Sequence, residues 1–297
     1  VKVSMLLDSG AFSAWTQQDV VDLDAYIDFI KANESDLEYY VNLDKIPGQY
    51  GGLQHAYHPT REEFEESARQ GYKNYEHMLS RGIDPQKLIH VFHQHEDWSW
   101  LKRMVREIPY VGLSPSNDST HPSKKKWLDE CMMYTTDDQG FPLVKTHGFA
   151  VTSVVMMVRY PWYSCDSMSW RLSAGYGAIF IPDWNDKGEY IYDKPPIVTK
   201  VTIHGKNREI VRRLFESLST DDKEMVVRYV ESKGFKMGRS VMESGKEKVV
   251  EEGLVNSHHQ REVINLIYFE DFLSRLVPFP HRRYMGKELL SQGFNFS

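Results

Sequence analysis

The chain has 297 residues, 41% hydrophobic and 26% charged, with a formal net charge of −6 at pH 7. That balance suits a globular chain of one large domain or two small ones, and the acidity argues against a protein that coats nucleic acid non-specifically. The longest apolar stretches fall far short of the ~20 residues a membrane helix needs.

The two cysteines, Cys131 and Cys165, are too few for a disulfide framework or an all-cysteine zinc site. They point to a reducing, cytoplasmic-type compartment, with a single Cys131–Cys165 disulfide as the alternative. No charged-then-apolar signal sequence opens the residues given, which begin at Val1 rather than Met.

In chain order, the first half alternates between two periodicities. An apolar run from Val3 reads as a strand that stops on Asp8. Leu23, Tyr26, Ile27 and Ile30 follow at helical spacing, and "LEYYVNLD" reads as a strand. "TREEFEESARQGYKNYEHMLSRG" predicts a helix with Thr60 as N-cap, Glu63 completing a capping box and Gly82 as the stop. "KLIHVFHQ" (strand), "DWSWLKRMVREI" (helix), "YVGLSP" (strand), "PSKKKWLDECMMYT" (helix), "VKTHGFAVTS" (strand), "VVMMVRY" (short helix) and "WYSCDS" (strand) continue the alternation. Strands alternating with helices imply parallel pairing with helices covering the sheet. Six such units fit an α/β fold of the closed (β/α)8 TIM-barrel type, with a doubly wound sheet as the fallback. "DSGAFS" lacks the glycine spacing of a dinucleotide site, and no P-loop is present.

Beyond Arg171 the pattern changes. "YGAIFIPDWNDKGEYIYDK" predicts a β-hairpin turning near Asn185 to Gly188, and "IVTKVTIH" a further strand. Residues 205–255 read as a charged helical insertion within a single barrel domain spanning 1–297. "HHQREVINLIYFEDFLSRL" predicts an amphipathic helix with Val263, Ile267 and Phe269 to Leu273 as its apolar cover. The proline- and arginine-rich tail after Pro278 reads as an irregular surface segment.

A barrel gathers its chemistry at the C-terminal ends of its strands. Those ends read Asp8, Asp44, His93 with Gln94, Ser114, His147 and Asp166. Singly, each has a bland reading. Asp8 caps a helix or shapes a turn, Asp44 precedes the "KIPG" turn, His147 satisfies a buried carbonyl and Asp166 is a loop aspartate. His93 or His95 in "HQH", taken alone, reads more simply as a hydrogen-bonded polar residue than as a metal ligand. Jointly, they line one mouth. Two carboxylates there divide labour as an ionised nucleophile and a proton-transfer group, the pair that glycosyl transfer requires. Phe12 offers a flat surface to a planar base. Asp44 and Gln94 offer edges to read it, and Ser9 and Gly112 allow close approach.

These residues resemble the tRNA-guanine transglycosylases. "DSGAF" resembles that family's "DSGG" motif with its aromatic residue, and "VNLDKIP" resembles the segment carrying its base-recognition aspartate. "VFHQHED" resembles the strand with the base-binding glutamine, and "YVGLSP" the glycine–leucine strand against the base. "KTHGFAV" and "YSCDSMSWR" resemble the strands that follow, the latter carrying the nucleophilic aspartate. The resemblance implies Asp166 as nucleophile and Asp8 as proton handler. It also implies a base site of Ser9, Phe12, Asp44, His93, Gln94, Gly112, Leu113 and His147; no cofactor is expected, and with only two cysteines no metal is expected either.

The chain departs from the family in two ways. Two cysteines cannot supply the three-cysteine, one-histidine zinc subdomain, and Ser169, Trp170 and Arg171 replace the "P-T-R" after the nucleophile. The form is therefore more similar to the phage and bacterial relatives that insert a 7-deazaguanine base such as preQ0 into DNA. DNA is the implied polymer partner, tRNA the alternative, and a homodimer or a partner protein stays open. Lys124, Lys125 and Lys126, then Arg171, then Arg282 and Arg283 are the basic residues for phosphate contact, and Trp170 and Trp184 are candidates to stack on an opened strand. The bland reading of the lysines and arginines is a solvated face, and that of the tryptophans is packing. A non-catalytic nucleic-acid-binding barrel and a metal-dependent barrel hydrolase using His93 and His147 are the readings from other classes.

Overall fold

The computed structural model describes residues 5–48, 59–116, 120–151, 153–203 and 213–282. The chain divides into two compact units. The first draws on Val1–Val151, Tyr160–Asp166 and the stretch beginning at Phe279, and the second on Thr152–Arg159 and Ser167–Pro278.

The first unit runs β1 (Met5–Leu7), α1 (Ala11–Gln17), α2 (Leu23–Ala32), β2 (Leu37–Val41), α3 (Arg61–Ser80), β3 (Leu88–His93), α4 (Trp98–Glu107), β4 (Tyr110–Ser114), α5 (His121–Thr135) and β5 (Lys145–Gly148). After α6 (Val154–Arg159), which belongs to the second unit, β6 (Ser164–Cys165) completes it. The six strands form one sheet in chain order, every neighbouring pair parallel, curled as a half-barrel. The fold is mixed α/β, with six strands in this sheet where the sequence reading expects eight.

Local chemistry sets the helix starts. Thr60 Oγ1 accepts from the Glu63 N–H while the Glu63 carboxylate accepts from the Thr60 N–H, the reciprocal box the sequence predicts. Asp22, Asp97 and Thr120 cap α2, α4 and α5 with their side chains. One face of the sheet meets the helices. Asn42 donates to the Gly71 carbonyl of α3, and Phe92 lies between Trp98 of α4 and Trp127 of α5, its ring 6.0 Å from the latter and nearly parallel to it. Each such fully buried apolar side chain contributes about 1.5–3 kcal/mol.

The other face carries Val41, Ile89, Val91 and Tyr110, with Tyr39, Phe149 and Tyr163 packed against them. Lys145 enters this face with its ammonium 4.3 Å from the Tyr163 ring centroid and 5.4 Å from that of Tyr39. Because side chains alternate along a strand, Tyr110 and Gly112 share this face, as do Lys145 and His147 and, on β3, Ile89, Val91 and His93. Both cysteines are free thiols, and burial together with the neighbouring Asp166 carboxylate pushes Cys165 up to about 12.

The second unit contains α6, α7 (Ser169–Gly175), β7 (Ala178–Ile181), β8 (Asp183–Trp184), β9 (Tyr190–Ile191), β10 (Ile197–Lys200), β11 (Arg213–Leu214), α8 (Thr220–Ser232), β12 (Arg239–Glu243), β13 (Lys246–Glu251) and α9 (His258–Leu273). β10 pairs with β7 antiparallel and with β11 parallel. β8 and β9 form the predicted hairpin, its turn held by Asn185 Oδ1 accepting from the Lys187 and Glu189 N–H groups.

Two expectations are corrected here. The charged stretch 205–255 is not helical throughout. Residues 204–212 lie outside the described residues, α8 is helical, and β12 and β13 form an antiparallel hairpin. Ser244 (φ 52°) and Gly245 (φ 78°) make its two-residue turn, a left-handed pair that matches strand twist and ends any helix.

On α9 the buried residues are Arg261, Ile264, Asn265, Tyr268 and Phe272, while Val263, Ile267 and Phe269 are half-buried and Leu273 is exposed. Hydrophobicity alone misplaces the face because two polar side chains are tied inside it. Arg261 donates to the Ala174 and Leu254 carbonyls. Asn265 accepts from the Phe180 N–H and donates to the Trp170 carbonyl. Among the described residues no helix is long and apolar enough to cross a membrane.

Candidate active site

Each parallel strand delivers its last residues to one edge of the sheet, and the polar residues gather there in two groups. The first is built from β1, β2 and β3. At the end of β1, Asp8 Oδ1 accepts from the Ser9 N–H at 2.9 Å, and Gly10 adopts a left-handed φ of 74° that turns the chain into α1. Ser9 Oγ donates to Asp44 Oδ1 at 3.4 Å. Asp44 Oδ2 accepts from the His93 Nε2–H at 2.8 Å, and the opposite ring nitrogen of His93 lies 3.0 Å from Glu96 Oε1. Glu96 is held in turn by the His93 N–H at 3.1 Å and by Ser67 Oγ of α3 at 3.1 Å. Burial works against a charge on His93, but the Glu96 and Asp44 carboxylates overcome it and raise its pKa to about 10. This group is thus an imidazolium clamped between two carboxylates.

Asp8 stands open to solvent on one side and crowded by protein on the other. Lost hydration raises its pKa, the Asp44 carboxylate raises it further, the Ser9 N–H opposes, and Asp166 adds to the rise. Asp44 and Asp166, which follow strands two and six of the sheet, therefore both act electrostatically on Asp8 at the end of strand one.

The second group is built from β4, β5 and β6. His147 lies almost wholly buried, with Nδ1 2.6 Å from Ser164 Oγ, which is itself 2.5 Å from the Tyr110 hydroxyl. His147 Nε2 faces Asp166 Oδ1 at 3.8 Å. Burial pushes the His147 pKa well below its ordinary value, against the pull of Asp166, so this imidazole is neutral. The Ala150 N–H donates to Asp166 Oδ1 at 2.7 Å.

The remaining sequence candidates fall into place around these groups. Gln94 is buried, with its N–H on the Ser114 carbonyl and its Oε1 accepting from the Ser116 N–H. Gly112 leaves room for the Phe149 ring, which a Cβ would meet at 2.4 Å, so close approach at this position serves a side chain of the same unit. Leu113 is fully buried on the opposite face of β4. Phe12 is half exposed on α1, 5.8 Å from the Trp15 ring.

Of the basic candidates, Lys124, Lys125 and Lys126 lie in the first turns of α5, where consecutive residues point about 100° apart rather than along one face. Arg171, on α7 in the second unit, pairs with Glu262 at 3.3 Å. Arg282 is exposed, and Arg283 lies outside the described residues. Trp170 packs against the Val154–Phe180–Tyr268 cluster, in line with the packing reading.

Sequence reasoning missed Glu96, Ser164, Tyr110 and Ala150. Glu96 stands three residues after His93 across a turn, and Ser164 two before Asp166 on one strand face. Both spacings were available as signals. Among the described residues no group of three or more His, Cys, Asp or Glu side chains is placed to hold a metal ion.

Fold and site together define an α/β protein with a carboxylate–histidine site on the C-terminal edge of a curled parallel sheet. The chain matches no protein-family model and no curated protein sequence.

Proposed function

We propose that the protein is a base-exchange transglycosylase, replacing guanine in DNA with a 7-deazaguanine base such as preQ0, on a (β/α)8 barrel of which β1–β6 are the first six strands. The observation that carries the reading is that Asp8 and Asp166 follow strands of one sheet at the same edge and are near enough for the Asp166 carboxylate to help raise the pKa of Asp8, while the Asp166 side chain is exposed. In this mechanism an Asp166 oxygen bonds to C1′ of the target nucleoside as the C1′–N9 bond breaks. The electron pair stays on the departing guanine, which takes the Asp8 proton. The incoming base returns a proton to Asp8, attacks C1′ through its own ring nitrogen and frees the Asp166 carboxylate. Two inversions give net retention.

Asp44, oriented by His93, accepts from the base. In a duplex the nucleotide must first leave the stack, at a cost of a few kcal/mol.

The test is incorporation of radiolabelled guanine, run in parallel on duplex DNA, single-stranded DNA and tRNA. Label in DNA is the expected result. Label in tRNA alone replaces the polymer in the proposal, and label in none with folded protein overturns it in favour of a binding protein.

A further inference from the structure

Asp166 has two oxygens, and the protein treats them differently. The Ala150 N–H reaches Oδ1 at 2.7 Å, and His147 Nε2 faces the same oxygen at 3.8 Å. Ala150 makes its contact from a left-handed backbone, φ 52°, which a residue with a Cβ adopts only at a cost of about 1 kcal/mol. The His147 Nε2 atom is buried and has no hydrogen-bond partner among the described residues.

Which ring nitrogen carries the proton follows from the chain behind it. The Tyr110 hydroxyl is buried, and its one hydrogen-bond contact among the described residues is Ser164 Oγ. If His147 Nδ1–H donated to Ser164, and Ser164 to Tyr110, the Tyr110 proton would be buried without an acceptor, which costs more than the bond it replaces. If Tyr110 donates to Ser164 and Ser164 to Nδ1, both hydroxyl protons have acceptors, and the single proton of the neutral ring sits on Nε2, where it turns an N–H rather than a lone pair toward the Asp166 carboxylate 3.8 Å away.

We propose that the one-way hydrogen-bond chain Tyr110→Ser164→His147 locks His147 as the Nε2–H tautomer, so that His147 and the Ala150 N–H together hold Asp166 Oδ1 and leave Oδ2 as the attacking oxygen. Ser164 and Tyr110 are then positioning residues that act through His147. The assignment of Oδ2 as nucleophile rests on the base-exchange reading; the tautomer does not.

The test is the nitrogen NMR spectrum of protein labelled with 15N-histidine, in which the His147 signals are found by their loss in His147→Gln. In the wild type the proton is expected on Nε2. Ser164→Ala abolishes that preference and lowers kcat for exchange about tenfold with KM unchanged, as loss of one hydrogen bond acting in the transition state predicts. Ser164→Thr, which keeps the hydroxyl, restores both.

A wild-type proton on Nδ1, or an Nε2 proton indifferent to Ser164→Ala, overturns the proposal even where exchange activity is intact. The Nε2 tautomer in a protein that exchanges no base retains the clamp and overturns the base-exchange reading instead. The wild-type spectrum needs no variant to fold.

Discussion

Two histidines sit on the same sheet edge and end in opposite states. His93 lies between Asp44 and Glu96, whose side chains are 9% and 1% exposed, and it is charged. His147 is as deeply buried but has a hydroxyl on one side and, 3.8 Å away on the other, a carboxylate that is 57% exposed. Burial disfavours the imidazolium in both places, so the number and depth of the carboxylates decide. Two close, desolvated carboxylates win at His93. One solvated carboxylate loses at His147. The first group is a buried ion cluster in which two carboxylates share one imidazolium, whereas the second leaves a carboxylate oxygen open to react.

The comparison breaks most visibly at Asp166. On the base-exchange reading, Asp166→Ala lowers exchange by on the order of 10⁴-fold or more while the protein stays folded, since this side chain is exposed. Exchange at the wild-type rate in that variant removes Asp166 as nucleophile.

The buried cluster is the more sensitive to loss of a partner. Removing the buried carboxylate with Glu96→Ala leaves His93 with one counter-charge and is expected to cost about 3 kcal/mol in urea unfolding. A loss below about 0.5 kcal/mol, the level of an ordinary surface change, contradicts the clamped imidazolium.

The two histidines also predict opposite pH dependences. His93 is raised above its ordinary 6.5 in the fold, so its contribution is fully present below about 6.5 and is lost as pH rises through about 10. The stability difference between wild type and His93→Gln therefore shrinks from neutral toward alkaline pH. His147 is lowered in the fold, so below about 6.5 the unfolded chain takes a proton that the folded ring resists. Wild type then loses stability on acidification relative to His147→Gln. Parallel curves for either variant and wild type would show that the ring does not titrate as described.

The smallest effect is at Ala150. Ala150→Gly relieves the left-handed strain but frees the unfolded backbone, for a net change within about 1 kcal/mol either way. Thermal unfolding measures it, and a loss of several kcal/mol would mean that the Ala150 methyl packs rather than strains.

Much of this was legible along the chain. The alternation of periods located the six strands of the sheet and the helices α2 to α5, because amphipathic spacing and caps such as Thr60 with Glu63 are local properties. The strand ends could be read off as Asp8, Asp44, His93, His147 and Asp166 because parallel strands all finish on one edge.

What was not legible depends on partners distant in sequence. Tyr110 and Ser164 are 54 residues apart, and nothing in either neighbourhood announces the other. On α9 an arginine and an asparagine occupy buried positions because carbonyls and an N–H from other segments receive them, a compensation that hydrophobicity cannot register. The β12–β13 hairpin was hidden by a charged sequence whose strand character comes from the Ser244–Gly245 turn.

By itself, then, the sequence determined where strands and helices lie in the first unit and which titratable residues stand at the strand ends, since spacing, capping and turn chemistry act over a few residues. Only the tertiary structure decided the charge state of each histidine and which oxygen of Asp166 is held. Both are set by how many carboxylates, hydroxyls and amides converge from separate strands, and by how much water they exclude.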